Sequence, residues 1–366
     1  MNRKHERVLA RGDSWVRIKS TLNRIHIIMN YLRYKRALKT KRVICNYDPL
    51  TLGIDIVTAC QMSCSFCPYH GDEIIPLFKP KKQFMEPEMF ATVLDTFPRT
   101  PNLLLGHSGE PLLHPNICQL LKLVQEKRPE VRVSISTNGL ILNEINLDKL
   151  LSPGVVRRIS ISINTLDEEQ HEKWSGTDRS LDLVLSNLKR LCDWREQNKE
   201  KKLKVYATSV VLKSKYLNIE NTVRFMQRYS IDYLGFQNYI PRNYIGKETI
   251  TTNDEEIITY LNKLPTRVSS RFNIGLIRPI DHSKNRNYCR QPWSQITIDP
   301  EGNMSPCCNI ARNERFGKFT GKDSWNSESL VKTRQAFRNG EMPFRYCAFC
   351  CANEDPKAGS YIKTGR

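Results

Sequence analysis

The sequence predicts an α/β fold, a partial (β/α)6 barrel of the TIM type, with a C-terminal Cys-rich domain and an N-terminal basic amphipathic helix. Two observations support the barrel. A strand pattern and a helix pattern alternate six times from Leu52 onward, and repeated units of this kind indicate parallel strands joined by right-handed crossovers. A complete barrel has eight such units, so six predict an incomplete one.

The predicted elements follow one another without an internal repeat. The strands are Leu52–Thr58, Asn102–Gly106, Arg132–Ser136, Arg158–Ile163, Lys204–Leu212 and Tyr233–Phe236, and the amphipathic helices include Glu86–Phe97, Ile117–Lys127, Ser180–Glu196 and Asn218–Tyr229. These elements predict four regions: a helical extension over 1–48, the barrel over 49–240, a linker over 241–287 with one helix at Glu255–Asn262, and the Cys-rich domain over 288–366.

The N-terminal extension predicts one helix from Ser14 to about Lys41. Ser14 can cap it, and apolar residues recur at gaps of three and four, at Trp15, Ile18, Leu22, Ile25, Met29 and Leu32. The simpler interpretation is a helix that packs on the main domain. Because Lys and Arg residues lie among the stripe positions, the alternative is peripheral contact of residues 14–41 with a membrane surface or another anionic partner.

Charge is concentrated at the N-terminal end. Residues 1–45 contain thirteen Lys or Arg against Glu6 and Asp13, which is 13 − 2 = +11 of the total net charge of +19. The rest of the chain is only mildly basic, so we expect no specific nucleic-acid binding. No apolar run reaches the roughly 18 to 20 residues of a membrane span, and no secretory signal is evident, so we expect a cytoplasmic protein.

Nine of the twelve cysteines gather in an early and a late group, which in a reducing compartment indicates metal ligation rather than disulfides. The early group reads Cys60-Gln-Met-Ser-Cys64-Ser-Phe-Cys67 and follows the first strand. A cubane 4Fe-4S cluster needs four outside ligands, so three thiolates leave one iron open. Zinc is the alternative, but a structural zinc site takes four ligands, and His70 is the one nearby candidate.

The early group resembles the signature of the radical S-adenosylmethionine (SAM) superfamily, and the resemblance covers about Pro49 to Cys350. It implies a 4Fe-4S cluster on Cys60, Cys64 and Cys67 that binds SAM at its open iron. Phe66 stands where such families place a ring near the adenine.

Further motifs extend the resemblance. Ser108, Gly109 and Glu110 are similar to the family's Gly-Gly-Glu segment, with Ser108 in place of the first Gly, and Glu110 is implied to bind the SAM amino group. Asn138 lies in a Thr-Asn-Gly turn like that of the family.

Two positions near the fourth strand are implied as well. Ser162 is a candidate contact of the SAM carboxylate or ribose. The family more often has Asp at the position of Asn164. Arg179 could neutralise the SAM carboxylate, or be an ordinary residue at a helix start. The strand-end motifs lie at carboxyl ends of strands, where parallel barrels build active sites.

The late group comprises Cys289, Cys307, Cys347 and Cys350, with Cys308 and Cys351 beside two of them. It resembles the SPASM/Twitch extension and implies a second, auxiliary 4Fe-4S cluster with four protein ligands. Spacing alone does not separate this set from a four-cysteine zinc ribbon. Cys308 and Cys351 could replace their neighbours as ligands, pack as small apolar residues, or donate a hydrogen atom to a product radical.

The resemblance implies reductive SAM cleavage with electrons from a one-electron reductase such as flavodoxin or ferredoxin. A full auxiliary ligand set favours two-electron oxidation of the substrate, with epimerisation through a Cys donor as the alternative. Only 59 residues precede Cys60, which favours a polar small molecule, such as a sugar or aminocyclitol, over a peptide or protein substrate. A non-catalytic cluster- or zinc-binding interaction protein is the third class, but it has no need of Glu110 or the Asn138 turn.

Overall fold

One nine-stranded sheet forms the centre of the molecule in a computed structural model that describes residues 21–67, 69–71, 82–240, 247–281, 289–307, 316–344, 347–348 and 350, and the side chains from 25 onward. Its strands are β1 (Thr51–Ile54), β2 (Asn102–Leu105), β3 (Arg132–Thr137), β4 (Val156–Ser162), β5 (Lys204–Val211), β6 (Tyr233–Asn238), β7 (Asn273–Gly275), β8 (Gln295–Ile298) and β9 (Met304–Ser305). The order across the sheet is β7-β6-β5-β4-β3-β2-β1-β8-β9.

The helices follow the strands in the alternation that the sequence predicts. In chain order they are α1 (Thr21–Lys39), α2 (Pro87–Thr96), α3 (Ile117–Lys127), α4 (Leu147–Leu151), α5 (Glu168–Ser175), α6 (Leu181–Gln197), α7 (Asn218–Met226), α8 (Glu255–Arg267), α9 (Gln291–Ser294) and α10 (Glu328–Asn339). Among the described residues, no helix is both long enough and apolar enough to cross a membrane.

The pairing is parallel throughout β1 to β8, and β9 alone runs antiparallel to its neighbour. β1 lies between β2 and β8, with Thr51 opposite Asn102 on one side and Gln295 on the other. The sheet therefore joins strands from both halves of the chain, and it confirms the predicted α/β class with a largely parallel sheet.

Alternation along the strands gives the sheet two different faces. One face is aliphatic and belongs to the hydrophobic core under the helices, with side chains such as Ile135, Ile161 and Val205 fully buried. The opposite face is rich in hydroxyl groups. Its side chains include Ser134, Ser136, Arg158, Ser160, Ser162, Tyr206, Thr208 and Tyr233, most of them half-buried or exposed.

Helix α1 differs from the sequence prediction. The described helix begins at Thr21, and the predicted start at Ser14 lies outside the described residues. Its packing face consists of Asn30, Tyr34 and Ala37, whereas Ile25, Met29 and Leu32 of the predicted stripe are exposed. The helix thus packs on the rest of the protein through this face, while the side chains of Trp15, Ile18 and Leu22 are not among those described, so the predicted amphipathic stripe is not shown. The helix is held by a polar anchor, because Asn30 Nδ2 donates to the Asp48 carbonyl (2.9 Å) and Asn30 Oδ1 accepts from the Asp48 amide (2.8 Å).

The segment after α1 is fixed to the C-terminal region by the buried Arg334 of α10. The Arg334 guanidinium lies 4.3 Å from the ring centroid of Trp325 and donates to the carbonyls of Pro292 (2.8 Å), Val43 (3.0 Å) and Trp325 (2.8 Å). These carbonyls accept hydrogen bonds from guanidinium N–H groups that burial removes from water. The N-terminal and C-terminal parts of the chain thus pack as neighbours beside β1 and β8.

Candidate active site

The early cysteines, Cys60, Cys64 and Cys67, lie on a loop that follows β1 and that we call the cluster loop. Backbone hydrogen bonds fix this loop on two sides. The amide of Glu110, after β2, donates to the Ala59 carbonyl (2.8 Å). The amides of Ser63 and Ser65 donate to the last carbonyls of α5, each at 2.8 Å. The loop is therefore held between the end of β2 and the end of α5.

Burial and nearby negative charge disfavour ionisation of two loop thiols. Burial, followed by the charges of Glu110 and Cys67, raises the pKa of Cys60 to about 11, and burial together with Cys67 and Cys60 raises that of Cys64 to about 12. The thiols are thus close enough to interact electrostatically, and cationic iron would overcome their unfavourable ionisation.

Close backbone approach explains the glycine in the segment after β2. A Cβ on Gly109 would lie 2.5 Å from the Val57 carbonyl oxygen and 2.6 Å from that of Ala59. Gly109 therefore lets the end of β2 touch the strand that leads into Cys60. Within the same segment, Ser108 donates through its backbone N–H (3.2 Å) and its hydroxyl to the buried Asp55 carboxylate.

Glu110 joins the ends of β2 and β3. Its Oε1 accepts from the Thr137 hydroxyl (2.8 Å) and the Leu112 amide (3.0 Å), and its Oε2 accepts from the Asn138 amide (2.8 Å). Burial raises the pKa of Glu110 to about 7, although these three bonds favour the ionised form. A carboxylate of this kind, dry and beside the cluster loop, is suited to a cationic ligand.

Asn138 brings the β3 turn into contact with the cluster loop. Its Nδ2 lies 3.6 Å from Cys60 Sγ as a hydrogen-bond donor, and its Oδ1 accepts from the Gln61 side chain at 3.3 Å. The turn is supported from below, since Asn187 of α6 donates to the Gly139 carbonyl (2.8 Å). Hydrogen bonds to the sulfur atoms of the ligands are among the features that set the reduction potential of an iron–sulfur cluster.

The remaining candidates occupy different environments. Phe66 packs edge-on against Trp174, with ring centroids 5.7 Å apart. Ser162 is half-buried at the end of β4. Asn164 is bound to β5, because its Oδ1 accepts from the Val210 amide (2.9 Å). Arg179 is exposed, and its backbone amide donates to Glu172 (2.7 Å).

His70 does not complete a zinc site with the loop cysteines in this arrangement. Its Nε2 lies 2.7 Å from the Ser108 carbonyl oxygen, which can only accept a hydrogen bond, so Nε2 carries the proton. Burial lowers the pKa of His70, which favours this neutral form.

Cys289 lies just before α9 and β8, whereas Cys307, Cys347 and Cys350 follow β8 in the C-terminal region. Cys347 and Cys350 are buried, and burial together with the proximity of Cys350 raises the pKa of Cys347 to about 12. Cys289 and Cys307 are half-buried, and the Ser305 hydroxyl donates to the Cys307 carbonyl (2.8 Å). Cys308 and Cys351 lie outside the described residues.

Sequence reasoning did not identify three residues of this site. Asp55 holds Ser108, Gln61 holds Asn138, and Asn187 holds the Asn138 turn. Asp55 had a detectable signal, since a single acid in an otherwise apolar strand segment is unusual. Gln61 and Asn187 had none, because their contacts span 77 and 48 positions of sequence.

A family model described as the radical SAM superfamily matches residues 54–226, which contain the cluster loop, Glu110 and Asn138. The chain belongs to the radical SAM superfamily. A second model, described as the SPASM iron-sulfur cluster-binding domain, matches residues 289–352 and includes all four late cysteines. The chain is thus a radical SAM enzyme with a C-terminal SPASM domain.

Curated relatives are distant but cover most of the chain. A probable GTP 3′,8-cyclase of Methanocaldococcus jannaschii is 21% identical over 84% of this chain and 95% of that protein. GTP 3′,8-cyclase of Aquifex aeolicus is 27% identical over 74% of this chain and 88% of that protein.

Among solved structures, Streptococcus suis SuiB has a TM-score of 0.59 at 19% identity, over 91% of this chain and 77% of that one. SuiB bound to its precursor peptide SuiA has a TM-score of 0.57 at 19% identity, over 90% and 76%. These similarities show a shared fold.

The residues of the enzyme fit the groups that its family implies. Cys60, Cys64 and Cys67 would hold a 4Fe-4S cluster, and Glu110 offers a buried carboxylate for the SAM ammonium. In the SPASM domain, Cys289, Cys307, Cys347 and Cys350 would hold an auxiliary 4Fe-4S cluster, because four thiolates satisfy all four irons.

Replacing the four late cysteines by Ala is expected to remove about half of the iron, as the loss of one of two cubanes implies. Reductive SAM cleavage without substrate should persist, since the loop thiols are unchanged. Iron, sulfide and 5′-deoxyadenosine assays of anaerobically reconstituted protein measure this. Full iron content in the variant, or zinc in the parent SPASM domain, would contradict the auxiliary cluster.

Proposed function

We propose that this radical SAM enzyme cleaves SAM reductively at the cluster of Cys60, Cys64 and Cys67 and takes a hydrogen atom from a polar small molecule, such as a sugar or aminocyclitol, in a two-electron oxidation. The curated GTP 3′,8-cyclases agree with a polar small-molecule substrate, because their names give a nucleotide. A one-electron donor such as flavodoxin or ferredoxin supplies the electron. Oxygen-sensitive clusters and free thiols favour a reducing cytoplasm.

The observation that carries the substrate class is the hydroxyl-rich face of the sheet. At the carboxyl ends of β3 and β4, where barrels bind substrate, this face presents Ser136 and Ser162, with Thr208 beside them within β5. Ser162 lies opposite Thr208 in the register, so their hydroxyls are lateral neighbours. Hydroxyl groups donate and accept hydrogen bonds, which matches a substrate with several hydroxyl or amino groups.

The chain's own residues have distinct roles in this reaction. When bound, SAM and the loop cluster supply a strong acceptor of a hydrogen atom. Glu110 binds the SAM ammonium, and its bonds to Thr137 and Asn138 keep the carboxylate at a fixed position. Phe66 would lie beside the adenine, while Ser108 and Gly109 bring the β2 end against the loop. Ser162 would contact the SAM carboxylate or ribose.

The closed ligand set of the SPASM domain favours oxidation, because a fully ligated cluster has no iron open to substrate but can still accept an electron. Epimerisation is the alternative, with Cys308 or Cys351 as hydrogen donor. A thiol donor exchanges with solvent, so in deuterated water epimerisation leaves one deuterium at an inverted carbon, whereas oxidation yields a product two mass units lighter.

A peptide or protein substrate is the second candidate. The observation that favours it is the fold similarity to SuiB bound to precursor peptide SuiA, which extends over 90% of this chain. A peptide would have to bind at the same site, and it would need fewer hydrogen bonds from the hydroxyl-rich face.

Substrate turnover tests the proposal. We expect polyhydroxylated amines, sugars or nucleotides, but not precursor peptides, to accelerate 5′-deoxyadenosine formation, and a deuterated substrate to transfer deuterium to it. Thr208→Val, which removes one hydroxyl with little change of shape, should raise KM while leaving substrate-free SAM cleavage unchanged. Ser209→Ala, on the opposite face of β5, is the control. Acceleration by peptides alone would overturn the small-molecule assignment.

A further inference from the structure

Helix α1 carries apolar side chains on two faces, and among the residues that the structure describes only one of these faces packs on the rest of the protein. Asn30, Tyr34 and Ala37, at spacings of four and three, are buried. Ile25, Ile28, Met29 and Leu32, at the spacing i, i+3, i+4, i+7, form a second row, which we call the outer face. The two rows lie on opposite sides of the helix because of its 3.6-residue period.

The outer face is a concentration of exposed apolar surface. Nine large hydrophobic residues are exposed in the described part of the chain, and five of them fall within positions 25–32. Leu32 is 60% exposed and Ile25 46%. Scattered exposed hydrophobic residues are normal, but a contiguous row of them marks an interaction site.

The charges around this row are entirely of one sign. Between Ser14 and Tyr47 the sequence contains nine Lys or Arg and no Asp or Glu. Arg33 and Lys35, both exposed, flank the outer face on its two sides, and Arg36 continues the row towards the helix end. Long basic side chains on either side of an apolar row can reach phosphate groups while the row itself enters an apolar layer.

We propose that the outer face of α1 binds the enzyme peripherally to an anionic lipid surface, parallel to the membrane plane. An apolar row flanked by cations matches the boundary between lipid headgroups and acyl chains. The Asn30 anchor to Asp48 keeps the helix attached to the barrel during binding, so the whole enzyme is carried to the surface. This location is independent of which substrate the enzyme oxidises.

Vesicle flotation of the full-length reconstituted enzyme tests the proposal. We expect binding to vesicles of equimolar phosphatidylcholine and phosphatidylglycerol, little binding to phosphatidylcholine alone, and weakening as salt is raised. Leu32→Glu should lower the partition coefficient about tenfold or more, since it removes one large apolar side chain from the contact. Arg33→Glu with Lys35→Glu should weaken binding to anionic vesicles in particular.

Matched variants separate the helix from general surface effects. Leu217 is also 60% exposed but lies before α7, so Leu217→Glu should leave binding unchanged. Lys263→Glu, on α8, is the charge control. Unchanged iron content shows that each variant is folded. Equal binding of Leu32→Glu and the parent, or no vesicle binding together with dimers that Leu32→Glu dissociates in sedimentation, would overturn the proposal.

Discussion

Replacing Cys60, Cys64 and Cys67 by Ala is expected to abolish SAM cleavage and to leave about half of the iron, or about four of eight atoms per chain if two cubanes are present. The loop thiols are the proposed ligands of the SAM-binding cluster, and the environment of Cys60 and Cys64 disfavours their thiolates without iron. Iron and sulfide analysis, together with the low-temperature electron paramagnetic resonance signal of the reduced protein, measures the loss.

The control is Cys118→Ala, which removes a half-buried thiol from α3 outside the cluster loop. It should keep full iron content and full SAM cleavage. Stoichiometric zinc with little iron in the parent protein would contradict the assignment, as would SAM cleavage that survives the triple substitution.

Replacing Glu110 by Ala is expected to weaken SAM binding by on the order of 2 to 4 kcal/mol, which is about thirtyfold to a thousandfold in the dissociation constant. In the proposed role of Glu110, the substitution leaves the SAM ammonium without its charged partner. It also removes the carboxylate that accepts hydrogen bonds from the Leu112 amide, the Thr137 hydroxyl and the Asn138 amide, and so leaves these three donors unpaired. Equilibrium binding of SAM to the anaerobic protein measures the effect.

Thr137→Val is the matched variant, because it removes one donor to Glu110 and keeps the carboxylate. We expect only a small change in SAM affinity. This result would distinguish the effect of losing the carboxylate charge from the effect of losing a hydrogen bond between the ends of β2 and β3. Iron content should hold in both variants. Unchanged SAM affinity in Glu110→Ala would mean that the carboxylate only joins the ends of β2 and β3 and does not bind SAM.

Much of the fold was predictable because strand and helix periods are local signals. The helix at Ile117–Lys127 has the predicted bounds, and the six predicted strands correspond to β1–β6 with shifts at their ends. β7 was not predicted, since three residues show no period, and β8 lay within a segment interpreted by its cysteines. On α1, periodicity located exposed apolar residues at Ile25, Met29 and Leu32, but it cannot tell which face packs when a polar residue, Asn30, provides the anchor.

For the site, it was predictable which strand ends come together. Parallel strands bring their carboxyl ends to one edge, so Glu110 and Asn138 were expected near the cluster loop. Their mutual contact was not predictable, because the bond from Asn138 to Glu110 spans 28 positions and the contact with Cys60 spans 78. The roles of Phe66, Ser108, Gly109, Glu110, Asn138 and Ser162 towards SAM stay predictions, as do the four regional boundaries.

The position of β1 between β2 and β8 has a consequence for how the protein matures. β8 lies roughly 240 residues after β1 in the chain, so during synthesis at about 5 to 20 residues per second one edge of β1 waits on the order of ten to fifty seconds for its partner. An unpaired edge is a template for pairing with other chains. Slow release of β8 from the ribosome should therefore favour aggregation in overexpressing cells, and slower initiation at lower temperature should raise the soluble yield by keeping nascent chains apart.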